Sequence, residues 1–295
     1  MKIEFENASK QNKAQRFFRR AFRKFSKKSR LFRRVTIIVA AVLAVSILVS
    51  LIMLPIACHN RAEEVPAAQT TTESAPASKE HFISGIPIVI QDYYKAGCET
   101  YACTMLLQGL GYQIDEHEFV DNYLIRRDMS YSEDGTQFLG PDMDAAFAGD
   151  IFTGHGINCP AMAKSINNYL KTQKTGDTAV WSKEKTLAQL CEEYIDNDIP
   201  VLTWVTTYMQ ESYEKFSWII NYVDENCTHK IGDEIAWRQN EHCMVLIGYT
   251  ETQYIFCDSV AGKVVYHDKD LAETRFKEIG EQSVAVYDPL SLSNP

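Results

Sequence analysis

The sequence predicts an α+β fold for residues 81–295, and two patterns lead to this prediction. In the first half of the region, apolar residues recur at helical spacing, as they do from Cys98 to Leu110. In the second half, short β-branched and aromatic runs are separated by polar breaks, which is typical of strands. Helices followed by antiparallel strands indicate a helical part that faces a sheet.

Four helices are expected in the first half. Their starts are indicated by apolar spacing, by Asp115 as a capping residue and by Pro160, which suits a first helical turn. The helices are predicted from Cys98 to Leu110, from Asp115 through Tyr123, from Pro160 to about Lys171, and in "KEKTLAQLCEEYIDND". The segment "IPIVIQ" (86–91) is expected to be a short strand or extended chain, and residues 126–159 are expected to be loops.

Five strands are expected in the second half. They are "IPVLTWVTTY", "HCMVLIGYT", "QYIFCDSV", "KVVYHD" and "QSVAVYD". A polar region that contains tryptophans, residues 209–240, separates the first two. Core packing is the expected place for the tryptophans.

The charge is strongly segregated along the chain. Residues 1–34 carry 13 Lys and Arg against two Glu, whereas the whole chain has a formal net charge of −9, which leaves −20 for residues 35–295. The basic segment is expected to lie on the inner leaflet of a membrane rather than on nucleic acid. The acidic remainder indicates a soluble face and leaves a preference for basic peptides open.

Residues 35–57 contain no charged residue, and these 23 positions exceed the roughly 20 that a membrane-crossing helix needs. Because basic flanks stay cytoplasmic, the N-terminus is expected inside the cell and the large domain outside. The length of the charged leader favours an uncleaved signal anchor. The segment "LPIAC" faintly resembles the cleavage box of a lipoprotein, so a lipid anchor stays open as the alternative. Residues 58–80, rich in Ala, Thr, Glu, Pro and Ser, are expected to be a flexible linker.

Cys98 is the candidate nucleophile. It follows Gly97 at the start of the first predicted helix, where the helix dipole lowers the pKa of a thiol. The backbone N–H of a first helical residue has no partner within the helix and can hold an oxyanion. Gln91 offers a side-chain amide as a second donor. Cys103 lies among apolar residues and is expected in the core.

His242 is the candidate base among seven histidines. It opens an apolar strand and lies 144 residues after Cys98, within the roughly 130–150 residues that separate Cys and His in papain-like enzymes. His155, in a glycine-rich loop, is a candidate contact to substrate. If the next two strands form a hairpin about Thr250, His242 faces Asp258, which would orient the imidazole.

The same hairpin register places Cys243 opposite Cys257. The two are expected as a disulfide or as a reduced cross-strand pair. Seven cysteines lie in residues 81–295, and this odd number leaves at least one thiol of the large domain free unless two chains pair.

The chain resembles the stand-alone C39-like cysteine peptidases, relatives of the bacteriocin-processing peptidases in the papain-like clan. The resemblance runs from about Ile86 to Tyr287. It rests on Gln91, Gly97-Cys98-Glu99, Gly154-His155-Gly156, Pro160, Ile199-Pro200-Val201, the segment Glu241 to Tyr249, and Asp258. It implies a papain-like fold whose central helix carries the nucleophile Cys98, with His242 as base, Asp258 as orienting residue and Gln91 in the oxyanion hole. Relatives commonly have Pro after the Asp, where this chain has Ser259.

Several other functions are disfavoured because the sequence lacks their motifs. No G-x-x-x-x-G-K-[ST] loop occurs, so no ATP-driven export is expected, and no spacing typical of zinc ligands occurs, so no metal or other cofactor is expected. Glu99 and Glu241 flank the candidate residues and are expected to be solvated surface.

The sequence therefore predicts a single-pass cell-membrane protein with an extracytoplasmic cysteine peptidase domain that acts on a peptide or protein. Two alternatives stay open. One is a catalytically inactive module that only binds peptides. The other is an acyl transferase of the transglutaminase or amidase type, which would use the same residues with a different acceptor.

Overall fold

The computed structural model describes residues 80–292. The predicted basic segment, the predicted membrane span at residues 35–57 and nearly all of the predicted linker lie outside this range. Within the range, no helix is both long enough and apolar enough to cross a membrane. The described part is an α+β structure that combines helices with antiparallel sheets, as the sequence predicts.

The described residues form six α-helices. They are α1 (Cys98–Gly109), α2 (Glu116–Asn122), α3 (Cys159–Gln173), α4 (Leu187–Glu193), α5 (Lys269–Glu278) and α6 (Pro289–Leu292). The first four confirm the four predicted helices to within a few residues, with one correction: the predicted fourth helix ends at Glu193, and a short 3₁₀ turn, Ile195–Asn197, follows it. The helix α5 has no counterpart among the predictions.

Thirteen strands accompany these helices. They are β1 (His81–Phe82), β2 (Arg126–Arg127), β3 (Ser130–Tyr131), β4 (Phe138–Pro141), β5 (Phe147–Ala148), β6 (Thr178–Ser182), β7 (Val201–Thr206), β8 (Tyr213–Tyr222), β9 (Glu234–Gln239), β10 (Glu241–Tyr249), β11 (Gln253–Asp258), β12 (Lys263–Asp268) and β13 (Ser283–Tyr287). The five predicted strands are β7, β10, β11, β12 and β13.

A seven-stranded antiparallel sheet forms the centre of the described structure. Its strands lie in the order β12-β11-β10-β7-β13-β6, and β1 pairs with the far end of β10. The helix α1 packs against β10, and ten of its twelve residues are buried. Leu106 and Leu107 are fully buried, and each such side chain contributes about 1.5–3 kcal/mol. The sheet and α1 together therefore position the start of α1 beside β10.

Two regions expected to be loops or irregular contain strands. Residues 126–159 hold β2 to β5, and residues 209–240 hold β8 and β9, which pair in a four-stranded sheet of order β3-β4-β8-β9. The strands β2 and β3 are only two residues long and exposed, too short to show apolar alternation. In β8, Phe216, Trp218 and Ile220 do alternate, but the polar residues around them obscure the pattern. In contrast, "IPIVIQ" is extended chain without strand pairing, one of its two predicted states.

The predicted register of the β10–β11 hairpin is wrong. Cys257 lies opposite Val245 rather than Cys243, and a bulge at Ile247 shifts the register again. Because the hairpin turns over more residues than a symmetrical turn about Thr250 would need, Cys243 and Cys257 are not cross-strand neighbours. Cys243 and Cys257 are both free thiols, so the disulfide that was one of their two expected states is absent.

Candidate active site

The start of α1 presents Cys98 as the first helical residue. Gly97 precedes it, and the Thr100 hydroxyl donates to the Gly97 carbonyl at 2.8 Å. A Cβ atom at Gly97 would lie 2.9 Å from Tyr94 Cβ and 3.0 Å from Thr100 Oγ1. This close approach requires glycine, and it fixes the direction in which the chain enters the helix at Cys98.

The thiol of Cys98 is buried beside β10. It donates a hydrogen bond to Glu99 Oε2 at 3.2 Å, and the backbone N–H of Cys243 donates to its sulfur. Burial, followed by the negative charges of Glu99 and Glu241, raises the pKa of Cys98 well above its ordinary value. The resting thiol is therefore protonated, which is the opposite of the effect expected from the helix N-terminus alone.

Glu99 and Glu241 are part of this site, which corrects the expectation that they are solvated surface. Glu99 is fully buried, and its Oε1 accepts the backbone N–H of Ile157 at 2.9 Å. Glu241 is partly exposed as a residue, but its Oε1 is buried and has no hydrogen-bond partner among the described residues. Burial raises the pKa of both carboxyl groups, and the charge of Glu99 raises that of Glu241 further.

Gly156 makes room for the two carboxyl groups. Its φ of +86° lies in the left-handed region, and a Cβ atom there would lie 2.5 Å from Glu99 Oε1 and 3.4 Å from Glu241 Oε2. Both the backbone conformation and the space therefore require glycine. Nothing in the sequence pattern around "GHGIN" shows which carboxyl groups approach it.

His242 and Asp258 form a buried pair. The His242 Nε2 atom lies 2.9 Å from Asp258 Oδ1, and both residues are almost completely buried. The backbone N–H groups of Val260 and Ala261 donate to the same Oδ1 at 2.8 and 3.2 Å. Burial opposes ionisation of Asp258, but these hydrogen bonds outweigh it, and the pKa of Asp258 is lowered. The predicted juxtaposition of His242 and Asp258 is present although the predicted register is not.

Gln91 lies beside the residue that follows Asp258. Its backbone N–H donates to the Ser259 carbonyl at 3.0 Å, and the Ser259 hydroxyl donates to its Oε1 at 3.3 Å. The side-chain Nε2 donates to the carbonyls of Tyr94 and Lys95 at 3.0 and 3.2 Å. The amide is therefore engaged by the loop before α1. Ser259, where relatives commonly have proline, supplies one of these hydrogen bonds.

The structure brings the four candidate residues to one region in two pairs. Cys98 lies against the backbone of Cys243, the residue after His242, and Gln91 lies against the residue after Asp258. Within residues 80–292, no hydrogen bond joins the Cys98 thiol to the His242 ring. Catalytic hydrogen bonds are often long or poorly aligned before substrate binds, and they tighten in the complex.

His155 lies in an aromatic cluster near the same site. Its ring stacks on Trp218 with ring centroids 5.6 Å apart, and it also contacts Phe216 and Trp237. Its Nδ1 is buried without a hydrogen-bond partner among the described residues, and burial lowers the pKa of the ring. Trp204 and Trp218 are buried in the core, as expected, whereas Trp237 is half-buried.

Three potential metal ligands meet at the site. Ligand atoms of Cys98, Glu99 and Glu241 all lie within 4.8 Å of one another. Metals bind the thiolate form of cysteine, whereas the Cys98 thiol keeps its proton and donates a hydrogen bond to Glu99. The protonation of the three groups therefore favours a hydrogen-bonded cluster, and we assign no metal to it.

Comparison with known proteins identifies the chain. The sequence profile of the Peptidase_C39 like family matches residues 69–284, which is well over half of the sequence. The chain belongs to the Peptidase_C39 like family. It is a C39-like cysteine peptidase, as the resemblance implied. None of the curated proteins compared with it matches.

Two solved structures are similar to this chain, and the first of them shows the same fold. The crystal structure of a C39-like peptidase from Bacillus anthracis is 21% identical, with a TM-score of 0.58, and the match covers 71% of this chain and 98% of that chain. The peptidase domain of Streptococcus ComA, a bifunctional ABC transporter of a quorum-sensing pathway, is 11% identical with a TM-score of 0.37, and the match covers 69% of this chain and 97% of that domain.

Sequence reasoning missed the part that the two glutamates play at this site. Glu99 stands in the first turn of α1 and Glu241 directly precedes His242, so both were visible as neighbours of the candidate residues. Their burial depends on how α1, β10 and the loop at Gly156 come together. No local pattern predicts a buried carboxyl pair, because acidic side chains are mostly exposed.

Proposed function

We propose that this cysteine peptidase hydrolyses peptide bonds with Cys98 as nucleophile, His242 as base and Asp258 as the residue that orients the imidazole. The observation that carries the proposal is the buried hydrogen bond between His242 Nε2 and Asp258 Oδ1 at 2.9 Å. With Nε2 held by Asp258, Nδ1 is the nitrogen left to exchange a proton with the thiol. The position of Cys98 beside the backbone of Cys243 supports this direction of transfer.

The proposed reaction proceeds through an acyl-enzyme. His242 takes the thiol proton, and the Cys98 sulfur bonds to the carbonyl carbon of the substrate, so that the carbonyl oxygen becomes an oxyanion. The Cys98 backbone N–H and the Gln91 amide, once released from its loop, donate to that oxyanion. Protonated His242 then gives its proton to the leaving nitrogen as the C–N bond breaks. Water deprotonated by His242 hydrolyses the thioester and restores the thiol.

The raised pKa of Cys98 gives the substrate a part in activation. In the resting structure the thiol proton is held by Glu99 Oε2, so the thiol must turn from Glu99 toward His242 before it reacts. Substrate that enters the site would displace the thiol from Glu99 and so favour this turn. We also propose that residues 35–57 anchor the enzyme in the cell membrane with residues 58–295 outside the cell.

Alkylation of Cys98 tests the assignment of the base. The full chain, purified in detergent, is treated with iodoacetamide at neutral pH, and the adducts are mapped by mass spectrometry. We expect Cys98 of the wild type to react, and His242→Ala to slow its alkylation about 100-fold or more, because general-base assistance is typically worth that much. The variant His229→Ala, whose ring contacts Asp142 away from the site, should react like the wild type. Cys227, a half-exposed thiol, reports the reagent's activity.

The two alternatives make different predictions in the same system. Equal labelling of Cys98 in the wild type and in His242→Ala would favour a module that only binds peptides. Incubation of a peptide library in H₂¹⁸O, with and without an added amine, separates hydrolysis from acyl transfer. A peptidase places ¹⁸O in the new carboxylate, whereas a transferase forms the new amide and leaves the label out.

A further inference from the structure

A cavity adjoins the proposed nucleophile. It has a volume of about 300 Å³, and its wall includes the apolar residues Ile157, Ile235 and Ile279 together with the polar residues His155, Trp237 and Glu241. A carboxyl oxygen of Glu241 lies within 4.8 Å of the Cys98 sulfur. The cavity is therefore close enough to Cys98 to hold a side chain of the substrate residue next to the attacked bond. Its volume suits a single large side chain.

Unpaired polar atoms are concentrated on the wall of this cavity. Five buried side-chain polar atoms of the described residues have no hydrogen-bond partner, and three of them are His155 Nδ1, Trp237 Nε1 and Glu241 Oε1. Buried polar groups are nearly always paired in folded proteins, so each exception calls for an explanation. Three exceptions in one cavity point to a bound ligand with groups of both kinds. Glu241 Oε1 needs a donor, whereas the Trp237 N–H, which can only donate, needs an acceptor such as a backbone carbonyl of a peptide.

Charge on the cavity wall favours a cation as that group. Lys183 pairs with Asp144, Arg238 lies near Glu214, and Glu278 pairs with Arg275. Glu241, by contrast, has no partner of opposite charge within the described residues, and its carboxyl group approaches that of Glu99 instead. A cation in the cavity would therefore meet an unpaired carboxyl group, with the ring faces of Trp237 and His155 beside it.

The net charge of the chain acts in the same direction. Residues 1–34 carry a net charge of +11 and the whole chain carries −9, so residues 35–295 carry −20. An acidic domain attracts cationic substrates and raises their local concentration. Burial and the nearby Glu99 disfavour the charged form of Glu241 while the cavity is empty, and a bound cation would reverse that preference.

We infer that this cavity is the subsite that receives a basic side chain, lysine or arginine, of the peptide substrate next to the bond that is cleaved. Glu241 is the specificity-determining residue, and it pairs with the cationic head while the aromatic and apolar wall packs against the stem. This inference rests on the proposed function for the identity of the ligand as a peptide, but its test does not depend on turnover.

The test compares peptides that differ in the charge of one side chain. Arginine and citrulline have nearly the same shape, but only arginine is cationic. Acetylation likewise removes the charge of lysine, and it also enlarges the side chain. A hexapeptide library carries each of the four at one position at a time. Binding is measured by fluorescence anisotropy with the full chain carrying Cys98→Ala, and cleavage is measured with the wild type.

We expect at least one position at which the arginine peptide binds about 10-fold or more tightly than its citrulline counterpart, as a hydrogen-bonded charge pair allows. Glu241→Gln should abolish the difference. Glu251→Gln, an exposed glutamate in the β10–β11 turn, changes the net charge equally and should retain it. Circular dichroism of each variant verifies the fold.

Two results would overturn the inference. One is equal binding of arginine and citrulline peptides at every position, and the other is a preference that survives Glu241→Gln. Cleavage without discrimination would overturn the subsite and leave the proposed function standing. Discrimination in binding without cleavage of any peptide would support the subsite and count against the proposed function.

Discussion

At the scale of single residues, the state of Cys98 depends on its carboxyl neighbours more than on its place in a helix. A thiol at a helix N-terminus is expected to ionise readily. Here burial and the charges of Glu99 and Glu241 raise its pKa well above the ordinary value. The enzyme therefore holds its proposed nucleophile in a protonated state, with the thiol proton directed at Glu99.

Replacing Glu99 should make the resting thiol more reactive. In Glu99→Gln the nearest negative charge is removed, so the pKa of Cys98 falls and more thiolate is present at a given pH. We expect the pH profile of Cys98 alkylation by iodoacetamide to move to lower pH and the rate at neutral pH to rise severalfold. The exposed Glu192 provides the control, since Glu192→Gln changes the net charge equally. A profile that stays in place in Glu99→Gln would contradict this account.

Asp258 should make the stability of the enzyme depend on pH in acid. Its pKa is lowered in the folded state, because the hydrogen bonds from His242, Val260 and Ala261 outweigh burial. Such a group stabilises the fold above its unfolded pKa, about 3.9, and that contribution is lost as the pH falls through its lower folded value.

Asp258→Asn removes this contribution. The variant should be less stable than the wild type at pH about 6, and the difference in free energy of unfolding should shrink steadily below pH about 4. Urea unfolding followed by tryptophan fluorescence at several pH values measures it. Asp121 lies on an exposed part of α2, and the stability of Asp121→Asn should depend on pH in the same way as that of the wild type. A constant offset between Asp258→Asn and the wild type would show that the residue acts through packing alone.

At the scale of elements, local signals located the helices well. Asp115 was predicted to cap a helix, and its side chain accepts the Glu118 backbone N–H at 2.8 Å at the start of α2. Pro160 lies in the first turn of α3, where its missing N–H costs nothing. These features are encoded within a few residues, so a single sequence is enough to find them.

The cap of α2 provides a test at this scale. Asp115→Ala leaves the Glu118 N–H without its acceptor and should lower the free energy of unfolding by about 0.5–2 kcal/mol. Asp121→Ala removes the same charge from the exposed side of the same helix and should change the stability by less than about 0.5 kcal/mol. Urea unfolding of the two variants measures the difference. Equal losses in both would mean that charge, rather than the cap, stabilises α2.

The pairing of the strands was harder to predict from the sequence than the positions of the helices. The hydrophobic pattern located β10 and β11 but left their register open to a shift, and the bulge at Ile247 produces one. Register depends on turn length and on which face is buried against other elements. The pair β8–β9 was missed although Phe216, Trp218 and Ile220 alternate along β8, because polar residues surround this run and both strands are largely exposed or half-buried.

At the scale of the whole molecule, the charge segregation leads to a prediction about location. If residues 35–57 span the membrane, the full chain should sediment with membranes and resist extraction by alkaline carbonate. A chain that lacks residues 1–57 should be released into the soluble fraction. A protease added to intact cells should digest the large domain of the full-length chain. Extraction of the full chain by carbonate alone would contradict the membrane anchor.

The sequence by itself determined the α+β class, the positions of the first four helices, the family and the pairing of His242 with Asp258 as candidates. These depend on periodicity, on caps and on motifs that are read within short windows. Only the tertiary structure decided that Glu99 and Glu241 are buried against Cys98, that Cys243 and Cys257 do not meet, and that a cavity lies beside the site. Burial and contact are properties of segments far apart in sequence, and the protonation of a group follows from the surroundings that those segments create.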